Sequence, residues 1–176
     1  HGCDWSSDVC SSDLSDEVSW TQSGEDDAKA LIAKNANADV FLSINTNSYA
    51  PDSTANGIET YYTTNKSTNK LLASSVQTEL ITATKAKNRG IHVVGSTSNF
   101  EILNKTSCPA IVAELGFITN PYEETLLESQ QYQNNNAKAI ANGLMSYAGF
   151  ANTDTTYDTT SPITIVTPIS TTTPII

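Results

Sequence analysis

Glu114 has the most unusual setting of any ionisable residue in this chain. Residues 109–120 read Pro-Ala-Ile-Val-Ala-Glu-Leu-Gly-Phe-Ile-Thr-Asn, so one carboxylate follows an apolar run that starts after a proline and stops near Gly116. Such a run predicts a short strand buried on both faces, and in open α/β sheets ligands sit beyond the carboxyl ends of strands. A carboxylate there is placed for general acid–base chemistry; the alternative is a Glu that caps the next turn or pairs with a lysine. Glu59 is a second acid on a strand-like segment, either near the same site, solvated, or orienting a neighbouring loop. His92 reads as an exposed strand residue before it reads as a catalytic one. Cys108 reads as a small buried filler with no His at a telling spacing. Cys3, Cys10 and Cys108 share no metal-like spacing, and an odd count argues against a closed disulfide framework.

The elements that would position these residues follow from periodicity. Gly24-Glu25-Asp26-Asp27 puts acids in the first turn of a helix over residues 28–35, where they favour its dipole, with Leu31 and Ile32 expected to pack inward. Residues 40–44 read as a buried strand, with Asn45-Thr46-Asn47-Ser48 in the loop at its carboxyl end. A turn over residues 54–57 precedes an alternating strand, Ile58-Glu59-Thr60-Tyr61-Tyr62. Residues 67–83 predict a helix, because Leu72, Val76 and Leu80 recur at i, i+4, i+8. The polar run from Arg89 to Asn99 reads as a loop framing a cleft, and Phe100-Glu101-Ile102-Leu103 as a short strand. Pro121-Tyr122-Glu123-Glu124 opens a short helix, and residues 131–147 a long one whose apolar face is Ala137, Ile140, Ala141, Leu144 and Tyr147.

Four segments carry a resemblance. Asn37-Ala38-Asp39-Val40-Phe41-Leu42-Ser43-Ile44-Asn45-Thr46-Asn47-Ser48, Asn56-Gly57-Ile58-Glu59-Thr60-Tyr61-Tyr62, Arg89-Gly90-Ile91 and Val112-Ala113-Glu114-Leu115-Gly116-Phe117-Ile118-Thr119-Asn120 occur in this order. Together they resemble the zinc-dependent N-acetylmuramoyl-L-alanine amidases of bacterial cell walls, from about Val18 to Tyr147. The resemblance implies an α/β fold, with a mixed or mostly parallel sheet and helices on both faces, about five strands being present and the first strand missing. It implies peptidoglycan as the partner, an extracellular or cell-wall location, and a zinc-bound water that attacks the amide between N-acetylmuramic acid and L-alanine. Glu114 takes the place of the family's general base. Asn45 stands where the family has its third zinc ligand, a His, and an amide oxygen is a far weaker ligand for zinc than an imidazole. Asn45 is thus either a loop residue making local turn hydrogen bonds or a weak ligand. The family's other two ligands, a His and a Glu, belong to the region expected to be missing. His1-Gly2 is no substitute, since too few residues separate it from Val18-Ser19-Trp20-Thr21, which resembles the end of the family's second strand. The expectation is an amidase domain that does not hold zinc tightly and is inactive as this chain; a non-catalytic wall-binding domain of the same fold is the alternative. Gln22 is a further departure, as family members often have Arg there.

The ends read differently from the centre. Residues 4–14, Asp-Trp-Ser-Ser-Asp-Val-Cys-Ser-Ser-Asp-Leu, show no periodicity and match one translation frame of a common sequencing adapter, so residues 1–14 are expected to lie outside the natural domain. Recovering these codons from intact genomic DNA would remove that expectation. The domain is expected over residues 15–150. In residues 151–176, Ser161-Pro162-Ile163, Thr167-Pro168-Ile169 and Thr173-Pro174-Ile175 recur every six residues, which reads as an extended linker uncoupled from the core, either leading to a further domain or ending as a tail. With 9 Lys and Arg against 19 Asp and Glu, the net charge of -10 argues against nucleic acid or an anionic membrane as partner. No apolar run approaches bilayer-spanning length, and no basic-then-apolar leader opens the sequence.

Overall fold

The computed structural model describes residues 22–95, 100–150 and 156–157. The order is α1 (Gln22–Asn35), β1 (Phe41–Asn47), β2 (Ile58–Tyr62), α2 (Asn69–Thr84), β3 (Asn88–Val93), α3 (Ile102–Lys105), β4 (Ala110–Phe117), α4 (Pro121–Glu128) and α5 (Gln130–Tyr147). The fold is α/β, as expected. Among the described residues the sheet has four strands in the order β1-β4-β2-β3. It is mixed: β1 runs parallel to β4 and β2 parallel to β3, while β2 and β4 are antiparallel.

The most apolar strand takes the interior. Ala110, Ile111, Val112 and Ala113 of β4 are all buried, and a strand paired on both sides leaves no backbone group of its ladder to water. One face of the sheet is covered by α2 and α5. There Leu72, Val76 and Leu80 meet Ile58, Tyr62, Ile111, Ala113 and Ile140, so the period read from α2 does describe its buried stripe. Gly143 brings the two helices together, since a Cβ at that position would lie 2.6 Å from Val76 Cα. On the other face, Ala30 of α1 and Ile102 and Leu103 of α3 pack on Ala110 and Val112. Helices therefore cover both faces.

Several elements differ from the sequence reading. Helix α1 begins at Gln22, and its buried stripe is Asp26, Ala30 and Ala33, whereas Leu31 and Ile32 point outward at 55% and 51% exposure. The spacing i, i+4, i+7 selects that stripe over the two apolar neighbours. Residues 100–103 form no strand; α3 is a single helical turn, which buries the consecutive Ile102 and Leu103 together, whereas a strand would send them to opposite faces. The Arg89 segment is the edge strand β3, where exposed polar side chains are tolerated because one side needs no partner. In α5 the buried positions are Tyr132, Asn136, Ala139, Ile140 and Gly143, with Ala137 and Ala141 exposed. Past residue 150, Tyr157 packs against the α2 side of the core and its hydroxyl donates to Glu79 Oε2 at 2.9 Å. The Val18 segment, His1, Cys3 and Cys10 lie outside the described residues.

Candidate active site

Strand register assembles the site. Asn45 of β1 is opposite Glu114 of β4, Glu114 is opposite Glu59 of β2, and Glu59 is opposite Gly90 of β3. Residues opposite one another across a ladder share a face, so Asn45, Glu114 and Glu59 form one row on the α1/α3 side. Positions two along the same strands add Ser43, Asn47, Val112, Tyr61 and His92 to that face. Asn45 is thus a strand residue, in contrast to the loop position expected from sequence.

Glu114 is 5% exposed. Asn45 Nδ2 donates to its Oε1 over a long 3.4 Å, and its Oε2 has no hydrogen-bond partner among the described residues. Burial pushes its pKa up; the Asn45 hydrogen bond opposes this, and the nearby charge of Glu59 adds to it. The acid lines a cleft of about 570 Å³ with Asp26, Ser43, Asn45, Asn47 and Ile102.

Glu59 is the opposite case. It is 4% exposed, neither solvated nor idle: Oε1 accepts from Asn47 Nδ2 at 2.5 Å and from the Tyr61 hydroxyl at 2.9 Å, and Oε2 from Arg89 Nε at 2.9 Å. His92 Nε2 lies 3.4 Å from the same Oε2 and 3.1 Å from the Arg89 carbonyl oxygen. Burial, together with the bond to Glu59, pushes the Tyr61 hydroxyl up to about 12, so it stays a donor at ordinary pH. These residues border a second cavity, of about 450 Å³, that shares Asn47 and Ser48 with the first cleft. A larger cavity of about 700 Å³, lined by Ile44, Leu115, Tyr132 and Ile140, includes no carboxylate in its lining.

Of the residues singled out in the sequence, Glu114, Asn45, Glu59 and His92 come together, and Cys108 is a buried free cysteine that lines neither cleft. Arg89, Asn47 and Tyr61 were not read as site residues. Asn47 and Tyr61 carried a usable signal, since each stands two positions from a candidate and therefore on its face; Arg89 carried none, because its contact with Glu59 spans two strands.

A third acid sequence reasoning missed is structural. Glu123 of α4 is buried, with Oε1 accepting from Gly57 N at 2.8 Å and Oε2 from Phe117 N at 2.7 Å. It ties the start of β2 to the end of β4. Gly116, at φ +142°, leaves room for it, since a Cβ there would come within 3.3 Å of Glu123 Oε2.

Asn45 Oδ1 accepts from Ser43 Oγ at 3.1 Å, and its Nδ2 presents hydrogens, not a lone pair, to Glu114. Among the described residues no group of three or more His, Cys, Asp or Glu could hold a metal ion. These residues do not fit a tetrahedral site of N and S or carboxylate donors.

Comparison with known proteins gives a consistent picture. The family profile described as N-acetylmuramoyl-L-alanine amidase matches residues 12–146. The N-acetylmuramoyl-L-alanine amidase LytC of Bacillus subtilis (strain 168) is 37% identical over 118 residues, which cover 65% of this chain and 23% of LytC. An uncharacterized protein of the same organism, YqiI, is 37% identical over 112 residues, covering 62% of this chain and 52% of YqiI. The crystal structure of N-acetylmuramoyl-L-alanine amidase from Clostridium difficile 630 superposes with a TM-score of 0.66 at 37% identity, covering 72% of this chain and 67% of that one. The catalytic domain of CwlV from Bacillus (Paenibacillus) polymyxa var. colistinus gives 0.63 at 32% identity, covering 74% and 67%. The chain thus spans about half of YqiI and under a quarter of LytC.

Proposed function

This chain belongs to the N-acetylmuramoyl-L-alanine amidase family, and we propose that its cleft receives the amide between the lactyl carbonyl of N-acetylmuramic acid and the L-alanine of the peptidoglycan stem. The observation that carries this reading is Glu114: a buried carboxyl, one oxygen unpartnered among the described residues, on the wall of a cleft. Asn45 Nδ2 holds Oε1 and so leaves Oε2 as the oxygen that exchanges protons. Because burial raises its pKa, Glu114 keeps its proton to higher pH than a solvated acid, which suits donation to a leaving amine nitrogen; its ionised form takes a proton from water.

Zinc would supply the activated water in members that bind it. The amide at Asn45 does not fit that role, so the domain recognises the muramoyl peptide but turns it over slowly or not at all. A non-catalytic wall-binding role is the second reading, favoured by that same amide. Relatives named as cell-wall amidases support peptidoglycan as partner and action at the cell wall or outside the cell. Zinc dependence belongs to the family as a whole, and the acidic balance of the chain disfavours nucleic acid and anionic membranes as partners. No helix among the described residues is long and apolar enough to cross a membrane.

Release of stem peptides from purified peptidoglycan tests the reading. The chain as it stands is expected at background. In a full-length version that carries the two upstream ligands, Asn45→His with added zinc is expected to raise release, and the gain should vanish when Glu114→Gln is added. No gain from Asn45→His counts against the enzyme reading and in favour of the wall-binding one.

A further inference from the structure

We propose that the outer edge of β1 is an interface with a second copy of this chain, in which two β1 strands pair antiparallel across a two-fold axis at Ile44 and join two four-stranded sheets into one. The proposal does not depend on what the Glu114 cleft binds.

Strand β1 ends the sheet without being built as an end. Its side chains, Phe-Leu-Ser-Ile-Asn-Thr-Asn, include no charge, proline or glycine, the devices that keep an edge from pairing. Strand β3 at the other end has them: Arg89, His92 and Gly90 at φ +90°. None of the β1 residues is fully buried, although Phe41, Leu42 and Ile44 are large and apolar, and Ile44 is 55% exposed. Its neighbour β4 is buried at every position but Leu115.

The backbone of this edge complements itself. Phe41 N donates to the Pro109 carbonyl and Ile118 N to the Asn47 carbonyl, both at 2.8 Å. The odd-numbered residues of β1 thus turn their peptide groups to β4, and alternation turns the N–H and C=O of Leu42, Ile44 and Thr46 outward. None of these groups has a partner among the described residues. A two-fold axis at the middle residue satisfies all of them. Ile44 exchanges both bonds with Ile44 of the second copy, and Leu42 does so with its Thr46.

The side chains fit the same register. Paired residues share a face, so the two exposed Ile44 side chains cover each other, and Leu42 comes beside Thr46, which with Ile44 lines the apolar cavity of about 700 Å³. Asp39 falls opposite Tyr49, so no acid of this segment faces another although the chain carries a net charge of -10. A charged partner peptide gains nothing from a strand that has no charge to answer it, whereas a copy of the same strand matches it group for group.

Sedimentation velocity on the full chain over a concentration series is expected to show a monomer–dimer equilibrium that tightens with added salt, as screening weakens repulsion between the acidic copies. Hydrogen exchange should show the amides of Leu42, Ile44 and Thr46 slowed at high concentration and released on dilution, with those of Phe41 and Ser43 unchanged. Ile44→Lys and Ile44→Glu should each weaken the dimer at least roughly tenfold, and mixing the two proteins should restore it, because opposite charges rescue only a residue that lies beside its own copy. Val93→Lys on the β3 edge should change nothing. A dimer that survives both Ile44 variants, or that Val93→Lys abolishes, overturns the proposal, as does assembly beyond a dimer. A monomer at every concentration overturns it too: with the three amides protected, the edge is covered by residues of its own chain, and with them exchanging freely it stays bare.

Discussion

Strand β4 turns Ile111 and Ala113 to one face and Val112 and Glu114 to the other, and the two faces handle burial in different ways. Under α2 and α5 the large side chains form one apolar cluster, and its polar neighbours are mostly matched: Thr60 Oγ1 donates to Gln77 Oε1 at 2.7 Å and Gln77 Nε2 to the Ile58 carbonyl, while Asn136 Nδ2 donates to the Tyr132 carbonyl and its buried Oδ1 has no partner among the described residues. Under α1 and α3 the same strand buries a carboxyl held by a single long hydrogen bond. Directly opposite it across the ladder Glu59 is saturated with donors, and Glu123 has both oxygens taken by backbone N–H groups. Burial of a carboxyl is therefore no obstacle for this fold, which satisfies two of them fully. Glu114 differs from Asn136, whose Oδ1 is also unpartnered among the described residues, in being an ionisable group on the wall of a cleft whose pKa burial pushes up, the combination found at sites of acid–base chemistry.

The largest effect expected from this contrast is on the packed face. Leu80, fully buried between α2 and the sheet, should cost about 3 kcal/mol on Leu80→Ala, because its loss leaves a cavity that helices pinned at Gly143 cannot close. Urea unfolding followed by circular dichroism reads this as a lower midpoint at unchanged slope.

A smaller effect of opposite sign is expected on the acid face. Glu114→Gln replaces a poorly paired carboxyl with a neutral amide and should stabilise the fold at neutral pH by about 1 kcal/mol. The sign follows from linkage. With its folded pKa raised above the ordinary 4.5, Glu114 binds more protons in the folded chain than in the unfolded one, so its contribution is present at low pH and is lost as pH rises through the folded pKa. The variant should lack that decline when midpoints are measured from pH 4 upward. A loss of stability at neutral pH would mean that Glu114 is as well satisfied as Glu59, and the contrast between faces would fail.

Much of the packed face was readable from the chain itself. The period of Leu72, Val76 and Leu80 marked α2, and the run before Glu114 marked β4, because local pattern and tertiary burial agree there. The acid face was readable only in pieces. Glu114 stood out through its apolar surroundings, and Asn45 through resemblance, but their adjacency depends on a parallel pairing of residues far apart in the chain. Strand β3 was hidden because an edge strand needs neither an apolar run nor strict alternation. The single turn of α3 was hidden because four residues are too short for either period to declare itself. Arg89 could be found only after β2, β3 and the Glu59 side chain were in place.

On the proposed reading, Glu114 is the family's acid and the amide of Asn45 stands where a zinc ligand would be. Titration of zinc against a competing chelator, on the unaltered chain and on Asn45→Ala, tests it most directly. No zinc site tighter than about micromolar that depends on Asn45 is expected, so the two proteins should give the same curve. One equivalent of tightly bound zinc that is lost on Asn45→Ala would contradict it.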